Sequence, residues 1–281
     1  MGRSDATRGI VFGATGDLYV RLARRAARNV RAAMPDIPID LFTDRPLDDA
    51  IFDRVHLLES VTVRPKMEAL RRSRFDLTLF LDCDVIVLQA LDDVFDCIAV
   101  ADVVAAHHQF GSAPVSMRTV RREIPHAFRQ INSGVLGIRR SPATDALLEK
   151  WQADFTALKQ TTDQPLLREM LFESDLRLIV LPPEYNLMYQ PWVRVANGLM
   201  MAPRLLHVPR LHEVPEHGAT PDLPFNPAEV VTPAVLQKLG ELAQSDRTLG
   251  AGRDTRTYAA ERLHDHPRLY RIYRRVRRLF A

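Results

Sequence analysis

The first 44 residues switch between two hydrophobic periods. Gly9-Ile10-Val11-Phe12 is a short apolar run leading into Gly13-Ala14-Thr15-Gly16, which reads as a buried strand entering a tight turn. Leu18, Leu22, Ala26, Val30 and Met34 then recur at every fourth position with arginines between them. That pattern predicts an amphipathic helix ending before Pro35. Ile39-Asp40-Leu41-Phe42-Thr43-Asp44 predicts a second strand. The order β-turn-α-β is the unit of a parallel sheet with helices on its faces.

Further along, residues 66–74 predict a short helix, and Leu77-Thr78-Leu79-Phe80-Leu81 a central strand. That strand runs into Asp82-Cys83-Asp84 before Val85-Ile86-Val87-Leu88 resumes the apolar run. Residues 103–106 and 135–138 are further strand candidates, and residues 142–158 and 163–172 are helix candidates, with Asp163 placed as a cap. Later strands are expected at 178–181 and 205–208. Six prolines between 209 and 233 read as a loop or linker without core residues, followed by a C-terminal helical region. The expected organisation is a main α/β domain over residues 1–214, with a proline-rich linker and basic helical region over 215–281.

Composition narrows the function classes. A chain of 281 residues with 46% apolar and 26% charged residues is an ordinary globular mixture, neither disordered nor low-complexity. No apolar stretch reaches membrane-spanning length, and no apolar run follows the first five residues as a secretory signal would need. Cys83 and Cys97 form no CxxC pair, so a reducing, cytoplasmic compartment is expected. The net charge of +3 conceals an asymmetry, because Arg268, Arg271, Arg274, Arg275, Arg277 and Arg278 crowd the last stretch, which holds no acid. Without them the body carries −3, which excludes a nucleic-acid-binding domain whose basic face belongs to the fold. Leu269, Ile272, Tyr273, Val276 and Phe280 share one face of that stretch. It reads either as a surface anchor for anionic lipid or as a helix docked on the body.

Asp82 and Asp84 are the sharpest chemical signal. Carboxylates inside an apolar run are costly unless paired or metal-bound, and in open α/β sheets ligands bind at the carboxyl ends of the strands. Oxygen ligands suit Mg²⁺ or Mn²⁺, and a nitrogen ligand would favour Mn²⁺. His207 ends a later apolar run and offers that nitrogen, in competition with His107 and His108. Asn132-Ser133-Gly134, ahead of a strand, would let a ligand approach the backbone closely. The Gly13 turn with Asp44 imitates a dinucleotide fingerprint, the basis of an alternative reading as an NAD(P)-dependent oxidoreductase, but its glycine spacing is off and it leaves Asp82 and Asp84 unexplained.

Taken in order, these motifs resemble the glycogenin-like and lipopolysaccharide-galactosyltransferase-like family of nucleotide-sugar glycosyltransferases, over residues 9 to about 212. The resemblance implies the GT-A fold, a Rossmann-like mixed and mostly parallel sheet with helices on both faces. Thr15-Gly16-Asp17-Leu18-Tyr19 matches the family's nucleotide-binding turn, whose tyrosine stacks on the base. Lys66 matches its basic residue ahead of the metal motif, and Asp82-Cys83-Asp84 its Asp-x-Asp. Asn132-Ser133-Gly134-Val135 matches its donor-sugar element and Asp163-Gln164 its pair near the reacting carbon. Tyr185-Asn186 matches its Tyr-Asn segment, and His207 falls at its third metal ligand. The family follows that histidine with a glycine and then a lysine that binds pyrophosphate. This chain instead reads His207-Val208-Pro209-Arg210-Leu211-His212, so Arg210, His212 or another group must serve.

The resemblance implies a metal-dependent glycosyltransferase that uses a nucleotide-sugar, a UDP-sugar in particular, and retains anomeric configuration. Asp82, Asp84 and His207 would hold the cation, and Lys66 or Arg210 would add positive charge. Asp163 and Gln164 would line the reacting face. The acceptor, whether glycan, lipid-linked or protein, is not legible, and a basic C-terminal helix at the inner face of a membrane would suit a lipid-linked one. A non-catalytic nucleotide-sugar-binding relative is the other alternative.

Overall fold

In the computed structural model, which describes residues 6–60, 64–198, 200–209, 211–246, 248 and 266–277, the densest apolar runs become neighbouring strands. β1 (Arg8–Ala14), β2 (Ile39–Thr43) and β4 (Leu77–Leu81) are buried almost throughout, as strands covered by helices on both faces must be. β3 (Arg54–Leu57) is a half-exposed edge strand that has no apolar density to announce it. Among the described residues seven strands form one sheet in the order β3-β2-β1-β4-β7-β6-β8, with β6 (Val103–His107), β7 (Ile131–Arg139) and β8 (Leu178–Leu181). β7 pairs antiparallel with both β4 and β6, and every other pairing in the sheet is parallel. This is the expected GT-A type of α/β architecture.

Helices cover both faces. α1 (Asp17–Ala33) buries its Leu22–Ala26–Val30 stripe against one face, in a core shared with β1, β2 and β4. α2 (Lys66–Arg71), α5 (Pro142–Ala157) and α6 (Gln164–Glu173) cover the other, around Trp151. α3 (Asp92–Ile98) returns to the first face. α4 (Pro114–Met117) and α7 (Pro191–Val195) are short surface turns, and α8 (Pro233–Ser245) follows the proline-rich stretch. A second, two-stranded sheet pairs β5 (Val85–Val87) antiparallel with β9 (Leu205–His207).

The sheet's topology creates a crevice. From β1 the chain proceeds to β2 and β3 on one side, while β4 lies on the other. The carboxyl ends of β1 and β4 therefore flank a switch point where a ligand can enter between diverging connections. Thr15 follows β1 and Asp82 follows β4 at this edge. Because β7 runs the opposite way, its first residues arrive at the same edge, with Leu81 opposite Val135.

Three sequence expectations are corrected. Asn132, Ser133 and Gly134 do not form a turn ahead of a strand but lie inside β7, where their polar groups are satisfied by partners described below. Asp163 occupies the position before α6 but makes no capping hydrogen bond there. The proline-rich stretch is not free of core residues, since Phe225 and Val231 enter the main core, followed by Val235, Leu239 and Leu242 of α8. Its anchor is Arg25 of α1, whose buried guanidinium donates to Glu229 and to the carbonyls of His217, Leu223 and Pro224, and lies 4.4 Å from the Phe225 ring centroid. Asn29 exchanges two hydrogen bonds with the backbone of Phe225. α9 (Pro267–Arg277) ends the described chain, and no described helix is long and apolar enough to cross a membrane.

Removing Arg25 would leave Glu229 and three carbonyls without their cation. Arg25→Ala is expected to cost about 3 kcal/mol in denaturant unfolding, as for a broken buried ion pair, and to open residues 214–230 to proteolysis.

Candidate active site

Asp82 and Asp84 lie in the link between β4 and β5, fixed at both ends by backbone pairing. The Asp82 amide donates to the Gly134 carbonyl at 2.8 Å, and the Val208 amide donates to the Asp84 carbonyl at 2.8 Å. The antiparallel register of β5 and β9 sets Val85 opposite His207. It thereby brings the His207 Nε2 to 3.3 Å from the Asp84 carboxylate. Asp82, Asp84 and His207 can each offer one ligand atom within 4.8 Å of one another. Neither His107 nor His108 joins this cluster: His107 is exposed at the end of β6, and the His108 ring is engaged with the Ser116 hydroxyl at 2.9 Å.

The orientation of His207 follows from a chain of hydrogen bonds that begins at the backbone. The Gly134 N–H donates to Asn132 Oδ1 at 2.8 Å, which identifies that atom as the acceptor. The same oxygen accepts from Asn186 Nδ2 at 2.9 Å, so Asn186 must turn its own oxygen toward His207. Asn186 Oδ1 then accepts from His207 Nδ1 at 2.8 Å, which leaves Nε2 free to face Asp84 or a metal. Gly134 is required here for space as well. A Cβ on it would stand 2.3 Å from the His207 ring, 2.8 Å from an Asp82 carboxylate oxygen and 2.9 Å from Asn132 Oδ1.

Lys66 neutralises the carboxylate side of the cluster. Its buried ammonium lies 3.0 Å from Asp82 and 3.6 Å from Asp163, and donates to the Ser133 hydroxyl and carbonyl at 3.0 and 3.2 Å. The Ser133 hydroxyl donates in turn to Asp163 at 2.5 Å. Burial opposes the charge on Lys66, but Asp163 and Asp82 outweigh it and hold the ammonium above its usual range. Burial likewise opposes ionisation of Asp163, yet Lys66 and Arg64 keep its carboxyl below the ordinary range. For Asp84, burial is overcome by the attraction of His207 and their hydrogen bond, which lower the carboxyl, and Asp84 correspondingly raises the imidazole against burial. Asp82 goes the other way, raised by burial and by Asp84 against the pull of Lys66. Lys66 and Arg64 are drawn to Asp163 and Asp82, and the cluster's ligand atoms are two carboxylates and an imidazole. That donor set fits Mn²⁺ or Mg²⁺.

A cleft of about 400 Å³ opens over this cluster, lined by Thr15, Tyr19, Arg64, Lys66, Asp82, Asp84 and His212 among others. Tyr19 and His212 stack with ring centroids 5.5 Å apart. Not every expected residue reaches the cleft. Asp17 points outward and pairs with Arg45, and Gln164 accepts from the Gln130 side chain. Arg210 lies outside the described residues. The glycine turn that imitated a dinucleotide site has a packing role: a Cβ at Gly13 would meet the backbone of Pro65 and Lys66 at 3.2 Å. Asp44, the supposed ribose acid, accepts from the Gly16 amide and pairs with Arg45.

Two residues at the site carry no clear signal of their role in the sequence. Asn186 was matched only as part of a Tyr-Asn segment, and no periodicity marks it as the partner of His207. Arg64 lines the cleft and stands 3.6 Å from Asp163, and its signal was only its position two residues before Lys66.

Residues 51–208 match the family model of the nucleotide-diphospho-sugar transferases. The span includes Lys66, Asp82, Asp84, residues 132–134, Asp163, Asn186 and His207, and leaves out the turn at 15–19. Among solved structures, the galactosyltransferase LgtC in complex with donor and acceptor sugar analogues is similar, with 19% identity and a TM-score of 0.55 over 79% of this chain and 98% of LgtC. The glycosyltransferase GlyE of Streptococcus pneumoniae TIGR4 is 21% identical, with a TM-score of 0.54 over 75% of this chain and 60% of GlyE. At these identities the likeness is one of fold. No curated protein sequence matches the chain.

Asn186→Ala would remove the acceptor that sets the His207 tautomer. Mn²⁺ affinity, followed by the electron paramagnetic resonance of free Mn²⁺, is expected to fall by about 10- to 100-fold.

Proposed function

The chain belongs to the nucleotide-diphospho-sugar transferase family, and on that premise we propose that it transfers a sugar from a UDP-sugar to an acceptor hydroxyl with retention of configuration, using a divalent cation held by Asp82, Asp84 and His207. The observation that carries this reading is the Asp82–Asp84–His207 cluster, opening onto a cleft at the switch point of the sheet. Mn²⁺ or Mg²⁺ bound there would supply Lewis-acid stabilisation of the leaving diphosphate.

The chain's own groups divide the remaining work. Tyr19, stacked on His212, offers an aromatic wall for the nucleotide base, with Thr15 beside it. Arg64 and Lys66 provide fixed positive charge facing the diphosphate. With His212 they take the place of the lysine missing after His207. Asn132, Ser133 and Gly134 border the donor sugar, and the absent side chain of Gly134 leaves room near the cation. Asp163 is buried and committed to Ser133 and Lys66, which suits a positioning role better than attack on the anomeric carbon. In the transfer, the acceptor oxygen bonds to the anomeric carbon as the bond from that carbon to the diphosphate oxygen breaks. The hydroxyl proton passes to the leaving diphosphate.

The C-terminal helix adds a surface contact. Leu269 and Ile272 of α9 are 51% and 59% exposed, and Arg268, Arg271 and Arg275 beside them are exposed too. This favours the anionic-lipid reading over a helix docked through its apolar face, and it keeps a lipid-linked acceptor in view.

Thermal unfolding with UDP, GDP, CDP and NADH, each with Mn²⁺ or EDTA, tests the donor reading. The expected result is a UDP shift that needs Mn²⁺. A NADH shift indifferent to EDTA would support the oxidoreductase instead. Asp84→Asn should stay folded and lose at least about 100-fold in sugar transfer. UDP-sugar binding with no transfer to any acceptor would indicate the non-catalytic relative. Flotation with phosphatidylglycerol vesicles should retain the full chain, and deletion of residues 266–281 should release it. Equal flotation of both would remove the membrane contact.

A further inference from the structure

The segment that carries Asn186 is bonded on one side to β9. Leu187 forms a parallel bridge with Leu206: its amide donates to the Leu205 carbonyl at 3.1 Å, and its carbonyl accepts from the His207 amide at 2.9 Å. In an extended chain, neighbouring residues turn their backbone groups to opposite sides. The Asn186 carbonyl and the Met188 amide therefore face away from β9, and among the described residues no strand pairs with them there. The Gln109 side chain takes that place. Its Nε2 donates to the Asn186 carbonyl at 3.0 Å, and its Oε1 accepts from the amides of Met188 and Tyr189 at 2.9 and 2.7 Å. These partners assign the two ends of the Gln109 amide, since a backbone carbonyl must meet the nitrogen and backbone amides the oxygen. Asn186 itself is fully buried, and its side chain joins Asn132 to the His207 ring. Asn132 also donates to Met188 Sδ at 3.1 Å. Both ends of the Asn132 amide thus meet groups on the segment that Gln109 holds.

We propose that Gln109 is a positioning residue for His207, acting through Asn186. The inference rests on the reading of His207 as a cation ligand given above. The three hydrogen bonds of Gln109 go to the backbone of residues 186–189, so its effect reaches the cluster through that segment. Without them the β9 bridge still holds Leu187, but the peptide planes on either side of it can turn. A turn at residue 186 carries Asn186 Oδ1 away from His207 Nδ1. The imidazole then loses the acceptor that keeps its proton on Nδ1. With the proton on Nε2 instead, the nitrogen that faces Asp84 has no lone pair for a metal. A side-chain amide suits this position because it offers a donor and a twofold acceptor together.

The test is Mn²⁺ titration of the full chain, read by the electron paramagnetic resonance of free Mn²⁺. Gln109→Met keeps the length of the side chain and removes all three bonds. It should weaken Mn²⁺ binding by about tenfold, the low end for groups that orient a metal-bound histidine. Added to Asn186→Ala, it should weaken binding by no more than about twofold further, because the two residues act in one chain. A second readout needs no metal. The ¹⁵N resonances of the His207 imidazole in alkaline buffer should show the Nδ1–H tautomer in the wild type and a mixture in Gln109→Met. A circular dichroism melt checks the fold of each variant, and Gln109→Ala serves should Gln109→Met not fold. Mn²⁺ affinity unchanged in the variant, or a loss that adds in full to that of Asn186→Ala, overturns the proposal. If the wild type binds no Mn²⁺, the cation reading falls and the tautomer still decides Gln109. An Nδ1–H signal retained undiminished in the variant overturns the proposal in either case.

Discussion

Three carboxylates converge at one edge of a buried sheet, and their mutual repulsion is the constraint around which this end of the molecule is organised. Asp82 and Asp84, from one link, and Asp163, from the start of α6, meet in surroundings where an unpaired charge would cost several kcal/mol. Lys66 stands between two of them, and His207 stands against the third. Placing Lys66 there requires α2 to begin where it does, with the backbone of residues 65–66 passing so close to β1 that residue 13 has no room for a side chain. Placing His207 there requires a second, two-stranded sheet. Much that looks incidental in the fold, including the reversed strand β7, serves to bring a partner to these acids.

Lys66, Arg64 and one histidine face three acids, and the histidine is held by Asn186 so that its Nε2 is turned toward Asp84. A cation from solution is the simplest group to complete the set, and the cleft gives it a route to the cluster.

Much of this was legible from residue order alone, and the limits have physical reasons. Strands β1, β2 and β4 and helix α1 declare themselves because burial on both faces or on one stripe imposes a period. Asp82 and Asp84 stand out because acids interrupt such a run. Spacing alone did not choose His207 over His107 and His108, and only the order of motifs did, since the choice depends on β5 pairing with β9, two three-residue strands too short to carry a pattern. Asn186 acts through side-chain hydrogen bonds, which leave no periodicity. β3 is a half-exposed edge strand and lacks the apolar density by which a strand is read. The proline-rich stretch misled because proline density signals irregular backbone but says nothing about burial: Phe225 is held in the core by Arg25 and Asn29 from a helix almost two hundred residues earlier.

The pairing of β5 with β9 also has a consequence for how the protein comes into being. Val85 and His207 meet only after a loop of more than one hundred residues has closed, and closing such a loop costs entropy that local contacts cannot repay in advance. The β1–β4 edge joins residues about 70 apart in the chain, and the β5–β9 pair closes the longer loop. A chain broken before residue 205 therefore has the two carboxylates without the imidazole opposite them. Competence for chemistry is coupled to completion of the fold.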